Sequence, residues 1–173
     1  MTDKESINFE KVIEDWWDSL LNDSGRRAEL RHCKSLDNVY FAPPYQSLRY
    51  DLKHTTKYGD DEKIALIAGV LSHVDSNEPK KEFPAYIAQK KANNEKEPIV
   101  SELRFKKLMS ITDDNDRLFR SIIRILSMTE HKAPIGSLAT GLYWWNSEIT
   151  KKNWNNLYYE EILRRNNGSA KNE

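Results

Sequence analysis

Residues 64–71 read Ile-Ala-Leu-Ile-Ala-Gly-Val-Leu, which is the longest apolar run in the sequence. The run is far shorter than the roughly 20 residues that a helix needs to cross a bilayer, so we expect no membrane contact. Three acidic residues, Asp60, Asp61 and Glu62, precede it, and carboxylates favour the positive N-terminal end of a helix. We therefore predict a central core helix over residues 64–74.

Helical periodicity extends from this run in both directions. Phe9, Ile13, Trp16, Trp17 and Leu20 fall at i, i+4, i+7, i+8 and i+11, which places them on one face of an amphipathic helix. Capping residues, helix-opening prolines and periodic apolar positions predict further helices over 25–34, from 43 onward, and over 84–91, 101–110, 113–128, 134–146 and 147–165. No alternating strand pattern is visible, so we predict an all-α fold of about nine helices.

One internal stretch lacks this periodicity. Residues 92–98 read Ala-Asn-Asn-Glu-Lys-Glu-Pro, a polar segment without regularly spaced apolar positions. We place the domain boundary there and divide the chain into an N-terminal helical lobe, 1–95, and a C-terminal helical lobe, 96–173.

Charge is distributed unevenly, although the 27 basic and 27 acidic residues of the whole chain cancel. Residues 24–57 carry seven basic and three acidic side chains, and residues 80–109 carry eight and four. These two segments are the candidates for contact with a polyanion such as nucleic acid. The alternative for each is a solvated surface without a partner.

The sequence contains no recognisable catalytic or metal-binding motif. Its four histidines lie on separate predicted elements, and it has neither a phosphate-binding glycine loop nor a GxSxG motif, so we expect no metal, cofactor or catalytic residue. Asp113, Asp114 and Asp116 fit the capped start of a helix, with a metal-dependent nuclease as the alternative. The single Cys33 and the absence of a signal-peptide pattern in residues 1–9 predict a cytoplasmic protein.

Basic residues form rows on several predicted helices. The rows are Arg27, Arg31 and Lys34; Arg104, Lys106 and Lys107; Arg117, Arg120 and Arg124; and Lys151 with Lys152. Arginine suits a phosphate partner because its planar guanidinium donates two parallel hydrogen bonds and stays protonated. The helix that carries Arg117, Arg120 and Arg124 has its apolar residues on a separate face. This arrangement indicates an exposed arginine stripe.

The five tryptophans lie at helical spacing among other apolar residues, which favours core packing over base stacking. Neighbouring side chains on a helix point in different directions, so Trp16 and Trp17, or Trp144 and Trp145, are not expected to face inward together. We therefore expect Trp17 or Trp145 to lie in a contact between lobes or subunits.

Six segments form an ordered series along most of the chain. They are Trp17-x-x-Leu20, Gly25-Arg-Arg-Ala-Glu-Leu-Arg-His-Cys33, Ile64-Ala-Leu-Ile-Ala-Gly-Val-Leu-Ser-His73, Ser101-Glu-Leu-Arg-Phe-Lys-Lys-Leu108, Leu118-Phe-Arg-Ser-Ile-Ile-Arg-Ile-Leu126, and Leu142-Tyr-Trp-Trp145 followed by Trp154 and Tyr158-Tyr159. In this order they resemble the CasB family, the small subunit of the type I-E CRISPR Cascade complex.

The resemblance implies a non-catalytic protein with two packed helical lobes, present in two copies beside the other Cascade subunits. It also implies contact with the guide RNA, with the target DNA strand and with the displaced DNA strand of the R-loop. In such complexes guide pairing reads the sequence, so this subunit is expected to hold nucleic-acid backbone.

Position in the family motifs assigns nucleic-acid contacts to Arg31, Arg104 and Arg124 and, after the paired tryptophans, to Lys151 and Lys152. Together with the basic rows, the resemblance predicts a binding site made of eight residues. They are Arg27, Arg31, Arg104, Lys107, Arg120, Arg124, Lys151 and Lys152.

The sequence departs from the family pattern at His32, Ile123 and Lys106-Lys107, where family members often carry arginine. The departures put those particular contacts in doubt. A rival hypothesis is a protein scaffold whose charged segments pair with neighbouring subunits and do not touch nucleic acid.

Overall fold

The structure is a computed structural model that describes the backbone of residues 3–170 and the side chains of residues 8–168. The described residues form ten helices and four short strands, which confirms the all-α fold class. The helices are α1 (Asp3–Leu21), α2 (Ser24–His32), α3 (Leu36–Val39), α4 (Pro43–Thr55), α5 (Asp61–Leu71), α6 (Phe83–Ile87), α7 (Glu102–Met109), α8 (Asn115–Met128), α9 (Ile135–Tyr143) and α10 (Glu148–Ala170). The helix missing from the sequence prediction is α3, which at four residues is too short to show a period.

The predicted core helix is confirmed as α5, in which every residue from Ile64 to Leu71 is buried. It packs against α3, α4, α8 and α9. Gly69 permits the contact with α8, because a Cβ atom there would lie 2.7 Å from the ring of Phe119. No helix in the described part of the chain is both long and apolar enough to cross a membrane.

Both tryptophans of α1 are buried, which corrects the expectation that only one of them faces inward. Trp16 donates its indole N–H to the Pro44 carbonyl at 2.9 Å, and Trp17 donates to the Val74 carbonyl at 3.3 Å. The two side chains point in different directions, but α1 is covered by α9, α4 and α2. A helix covered on several sides can bury adjacent residues.

In the second tryptophan pair the inner residue is Trp145. Its indole N–H donates to the Ile111 carbonyl at 2.9 Å, and its ring meets the ring of Trp154 edge to face at 5.1 Å. Trp144 is 39% exposed. Trp154 also packs against Gly141, where any Cβ atom would collide with the indole ring.

The four strands were not predicted, and they correct the assignment of residues 84–98. The helix there ends at Ile87, and a hairpin of β2 (Lys90–Lys91) and β3 (Asn94–Pro98) follows. Most hairpin side chains are exposed, so the segment has no alternating apolar pattern to reveal it. Strands β1 (Ser76–Asn77) and β4 (Lys132–Ala133) pair in parallel, although more than 50 residues of sequence separate them.

One hydrophobic core runs through both halves of the chain. It extends from Phe9 on α1 to Ile162 on α10, and α1 packs on α9, α5 on α8, and α6 on α10. The predicted boundary between residues 95 and 96 falls inside β3. The division into two lobes stays a prediction.

Candidate nucleic-acid interface

A groove of about 560 Å³ lies between α7 and α8. Its walls carry five basic side chains, and four apolar side chains lie between them together with Ser121. The basic residues are Arg104, Lys107, Arg117, Arg120 and Arg124, and the apolar residues are Leu108, Ile111, Ile125 and Met128.

The arginines of α8 face outward because the opposite face of the helix is built into the core. Leu118, Phe119, Ile122, Ile125 and Leu126 are buried, so the positions at i, i+3 and i+7 remain exposed. The predicted arginine stripe is confirmed as an exposed face of this helix. Asp114 begins the helix by accepting a hydrogen bond from the Arg117 backbone N–H at 2.9 Å.

The basic residues of α7 are fixed in a similar way. Ser101 caps the helix, and Phe105 lies buried on the inner face, stacked on the Tyr158 ring at a centroid distance of 3.9 Å. The Tyr158 hydroxyl donates to the Val100 carbonyl at 2.7 Å. This anchoring leaves Arg104 and Lys107 exposed beside α8.

The five cations of the groove are not neutralised by any residue that the structure describes. No acidic side chain lines the groove, and none of the five basic side chains forms an ion pair or hydrogen bond within residues 8–168. Other cations of the protein are paired, for example Arg49 with Asp61 at 2.8 Å and Lys81 with Glu161 at 2.8 Å. Five unpaired like charges in one groove attract an anionic partner.

Four residues of the predicted site, Arg104, Lys107, Arg120 and Arg124, are brought together in this groove. Arg117 also lines it, although the predicted site left this residue out. The sequence indicates its position through the i, i+3, i+7 spacing that places it on the same helix face as Arg120 and Arg124.

Arg27 is occupied inside the protein. Its guanidinium donates to the carbonyls of Ser72 and Val74, each at 3.0 Å, and forms an ion pair with Asp75. Helix α2 ends at His32, so Lys34 does not continue the predicted row. Arg31 is exposed and forms no hydrogen bond or ion pair in the described part of the chain, although its charge lowers the pKa of Asp75, and it does not line the groove.

The two lysines of α10 have different surroundings. The Lys151 ammonium donates to the carbonyls of Met109 at 2.9 Å and Ile111 at 2.6 Å and lies 4.1 Å from the centre of the Trp145 ring. Burial lowers the pKa of Lys151 to about 8. Lys152 is exposed and pairs with Glu148 at 2.7 Å. Lys151 therefore supports the end of α7 instead of lining the groove.

The acidic group at the start of α8 is used for local structure. Asp114 caps the helix, Asp116 accepts a hydrogen bond from the Leu36 backbone N–H at 3.0 Å, and Asp113 has a φ of 52°. Within the described residues, no group of three or more His, Cys, Asp and Glu side chains is arranged to hold a metal ion. The nuclease alternative therefore gains no support from these aspartates.

The fold and the groove define a helical protein with a concentrated, unneutralised cationic surface. A model of the family described as CRISPR-associated protein Cse2 matches residues 26–159 of the 173. The chain belongs to this family, also called CasB, which provides a subunit of the CRISPR Cascade complex. The match confirms the resemblance found in the sequence. No curated protein and no solved structure matches the chain.

Proposed function

We propose that this protein is a non-catalytic Cascade subunit that binds nucleic-acid phosphates through the groove between α7 and α8. The observation that carries the proposal is the set of five exposed cations that have no counter-charge among residues 8–168. A phosphate partner would supply that counter-charge, and arginine is the residue that pairs with phosphate in a bidentate manner.

The proposed ligands are the guide RNA, the target DNA strand and the displaced strand of the R-loop. The protein would act in the cytoplasm as two copies within one complex, and its contacts would stabilise the R-loop. Family membership supports this setting, since the chain belongs with CRISPR-associated proteins. We also retain Arg31, which lies outside the groove, in the binding surface, because it is exposed and forms no hydrogen bond or ion pair within the described residues.

Phosphate binding has a thermodynamic signature in its dependence on salt. Each phosphate neutralised on a single strand releases counterions and contributes about 0.7 log units of affinity per log unit of salt. Five groove cations that each meet one phosphate therefore predict a slope of about −3.5.

The test is fluorescence anisotropy of labelled single-stranded and duplex DNA between about 50 and 200 mM salt, where phosphate-driven binding weakens strongly. The groove variant replaces Arg104, Arg117, Arg120 and Arg124 by Gln. The matched control replaces the exposed lysines outside the groove, Lys11, Lys80, Lys96 and Lys132, by Gln and removes the same charge.

The groove variant is expected to lose binding and to flatten the salt slope, while the control keeps both. Equal loss in the two variants would show an effect of net charge alone. Salt-independent or undetectable binding by the wild-type protein would instead favour the protein scaffold.

A further inference from the structure

The groove contains an apolar floor that phosphate binding by itself does not require. Leu108, Ile111 and Ile125 are 2%, 2% and 4% exposed, and the half-buried Met128 completes the floor at the end of α8. Arg104 and Lys107 come from α7, and the other three arginines of the groove come from α8. A ligand that fills the groove therefore meets cationic side chains together with apolar surface, of which Met128 is the most accessible part.

The spacing of the walls suits a nucleic-acid strand. Arg117 and Arg124 are seven residues apart, which is about 10 Å along α8. Because the three guanidinium groups follow one helix face, they can meet more than one phosphate of the same strand.

An unpaired strand, unlike a duplex, can also place a base against the apolar side chains of the groove. In a duplex the bases are stacked around the axis and the outer surface is formed by phosphate and sugar. A single strand can turn a base away from its neighbours and place it against a protein surface. We propose that the groove holds an unpaired base against Met128 and Ile125 while the arginines bind the flanking phosphates.

This inference rests on the proposed function, since it concerns the same groove and the same class of ligand. An acidic, amphipathic protein segment also combines negative charge with an apolar face. The nucleic-acid strand is favoured because four of the five cations are arginines, which bind phosphate oxygens in a bidentate manner, and because the chain belongs to a CRISPR-associated family.

The experiment compares two single strands of equal length and phosphate number, oligo-dT and a fully abasic strand, by anisotropy with the full-length protein. The first variant is Met128→Gln, which makes the floor polar and keeps a helix-forming side chain. The matched control is Leu103→Gln on α7, whose side chain is 64% exposed and does not line the groove.

The wild-type protein is expected to bind oligo-dT roughly fivefold more tightly than the abasic strand, the effect of burying about 40 Å² of apolar surface at roughly 25 cal/mol per Å². Met128→Gln should reduce that ratio towards one and leave the affinity for the abasic strand unchanged, and Leu103→Gln should alter neither value. The unchanged abasic affinity also reports that the variant is folded.

Equal wild-type affinity for the two strands would overturn the inference and leave the phosphate-binding proposal intact. Failure to bind either strand would overturn both proposals. Displacement of oligo-dT by polyglutamate of the same charge, as effectively as by unlabelled oligo-dT, would overturn the inference in favour of an acidic protein segment.

Discussion

At the scale of single residues, Arg27 and Arg31 lie one turn apart on α2 and have opposite surroundings. Arg27 donates to two carbonyls and to Asp75, whereas Arg31 is exposed, forms no hydrogen bond within the described residues and acts on Asp75 only through its charge. Equal charge and helical spacing therefore conceal two different roles. One arginine stabilises the fold, and the other is available to a partner.

Replacement of Arg27 by Ala is expected to lower the free energy of unfolding by about 2 kcal/mol, because two backbone carbonyls and the Asp75 carboxylate lose their donor. The matched variant Arg31→Ala should stay within about 0.5 kcal/mol of the wild-type protein. Urea denaturation followed by tryptophan fluorescence measures both. Identical midpoints for the two variants would mean that the Arg27 contacts add no net stability.

His73 should make the fold sensitive to acid. Burial, followed by the charge of Arg31, lowers the pKa of His73 from 6.5 to about 4. Its Nε2 atom is buried without a hydrogen-bond partner among the described residues. The other charged or titratable groups around it are His131, Arg27 and Asp75.

The folded protein therefore resists protonating a histidine that the unfolded chain protonates readily. Stability is complete above the unfolded pKa of 6.5 and should fall by about 1–2 kcal/mol as the pH drops to about 4, because His73 is partly exposed and solvent screens part of the effect. His73→Gln should flatten the pH dependence of urea denaturation over this window, whereas His32→Gln, on an exposed position, should retain the wild-type slope. Parallel pH profiles for the wild-type and His73→Gln proteins would contradict this assignment.

At the scale of elements, α7 depends on a lysine of α10. Lys151 binds the carbonyls of Met109 and Ile111 at the C-terminal end of α7, where the helix dipole favours a cation. Ile111 also forms part of the groove floor, and its carbonyl accepts the Trp145 indole. The position of the floor therefore depends on contacts from the last helix.

Lys151→Met is expected to cost about 1–3 kcal/mol of stability, since it removes the donor of two carbonyl groups. Lys152→Met should cost less than about 0.5 kcal/mol, because its ion pair with Glu148 is fully exposed to solvent screening. Thermal unfolding followed by circular dichroism compares the two variants directly. A larger loss in Lys152→Met would be inconsistent with the support of α7 by Lys151.

At the scale of the whole molecule, the two halves of the chain share one core. Helix α9 covers α1 and α5, α10 covers α6, and the parallel pair β1–β4 joins the halves at the edge of that core. Apolar surfaces of each half would be exposed if the other half were removed. The halves therefore depend on one another for burial.

We expect a single cooperative unfolding transition for the full chain, with coincident curves from circular dichroism and tryptophan fluorescence. A fragment of residues 1–95 should remain largely unfolded, because it lacks the faces that α8 and α9 supply to α5. Two separate transitions, or a fragment that folds cooperatively, would instead establish independent lobes.

The sequence by itself determined the features that depend on local spacing. The apolar run from Ile64 to Leu71 predicted the core helix, and the arginines at 117, 120 and 124 predicted an exposed stripe on a helix with a separate apolar face. The ordered series of short segments was sufficient to indicate the family. These features were accessible because a helix sets the direction of its side chains every 3.6 residues.

Only the tertiary structure decided which basic residues are free. The acceptors of Arg27 lie 45 to 48 residues away in sequence, and those of Lys151 lie 40 and 42 residues away. The strands β1 and β4 are equally remote, and Trp17 is buried because other helices cover α1. No local pattern encodes such partners, since they are brought together only when distant elements pack around the shared core.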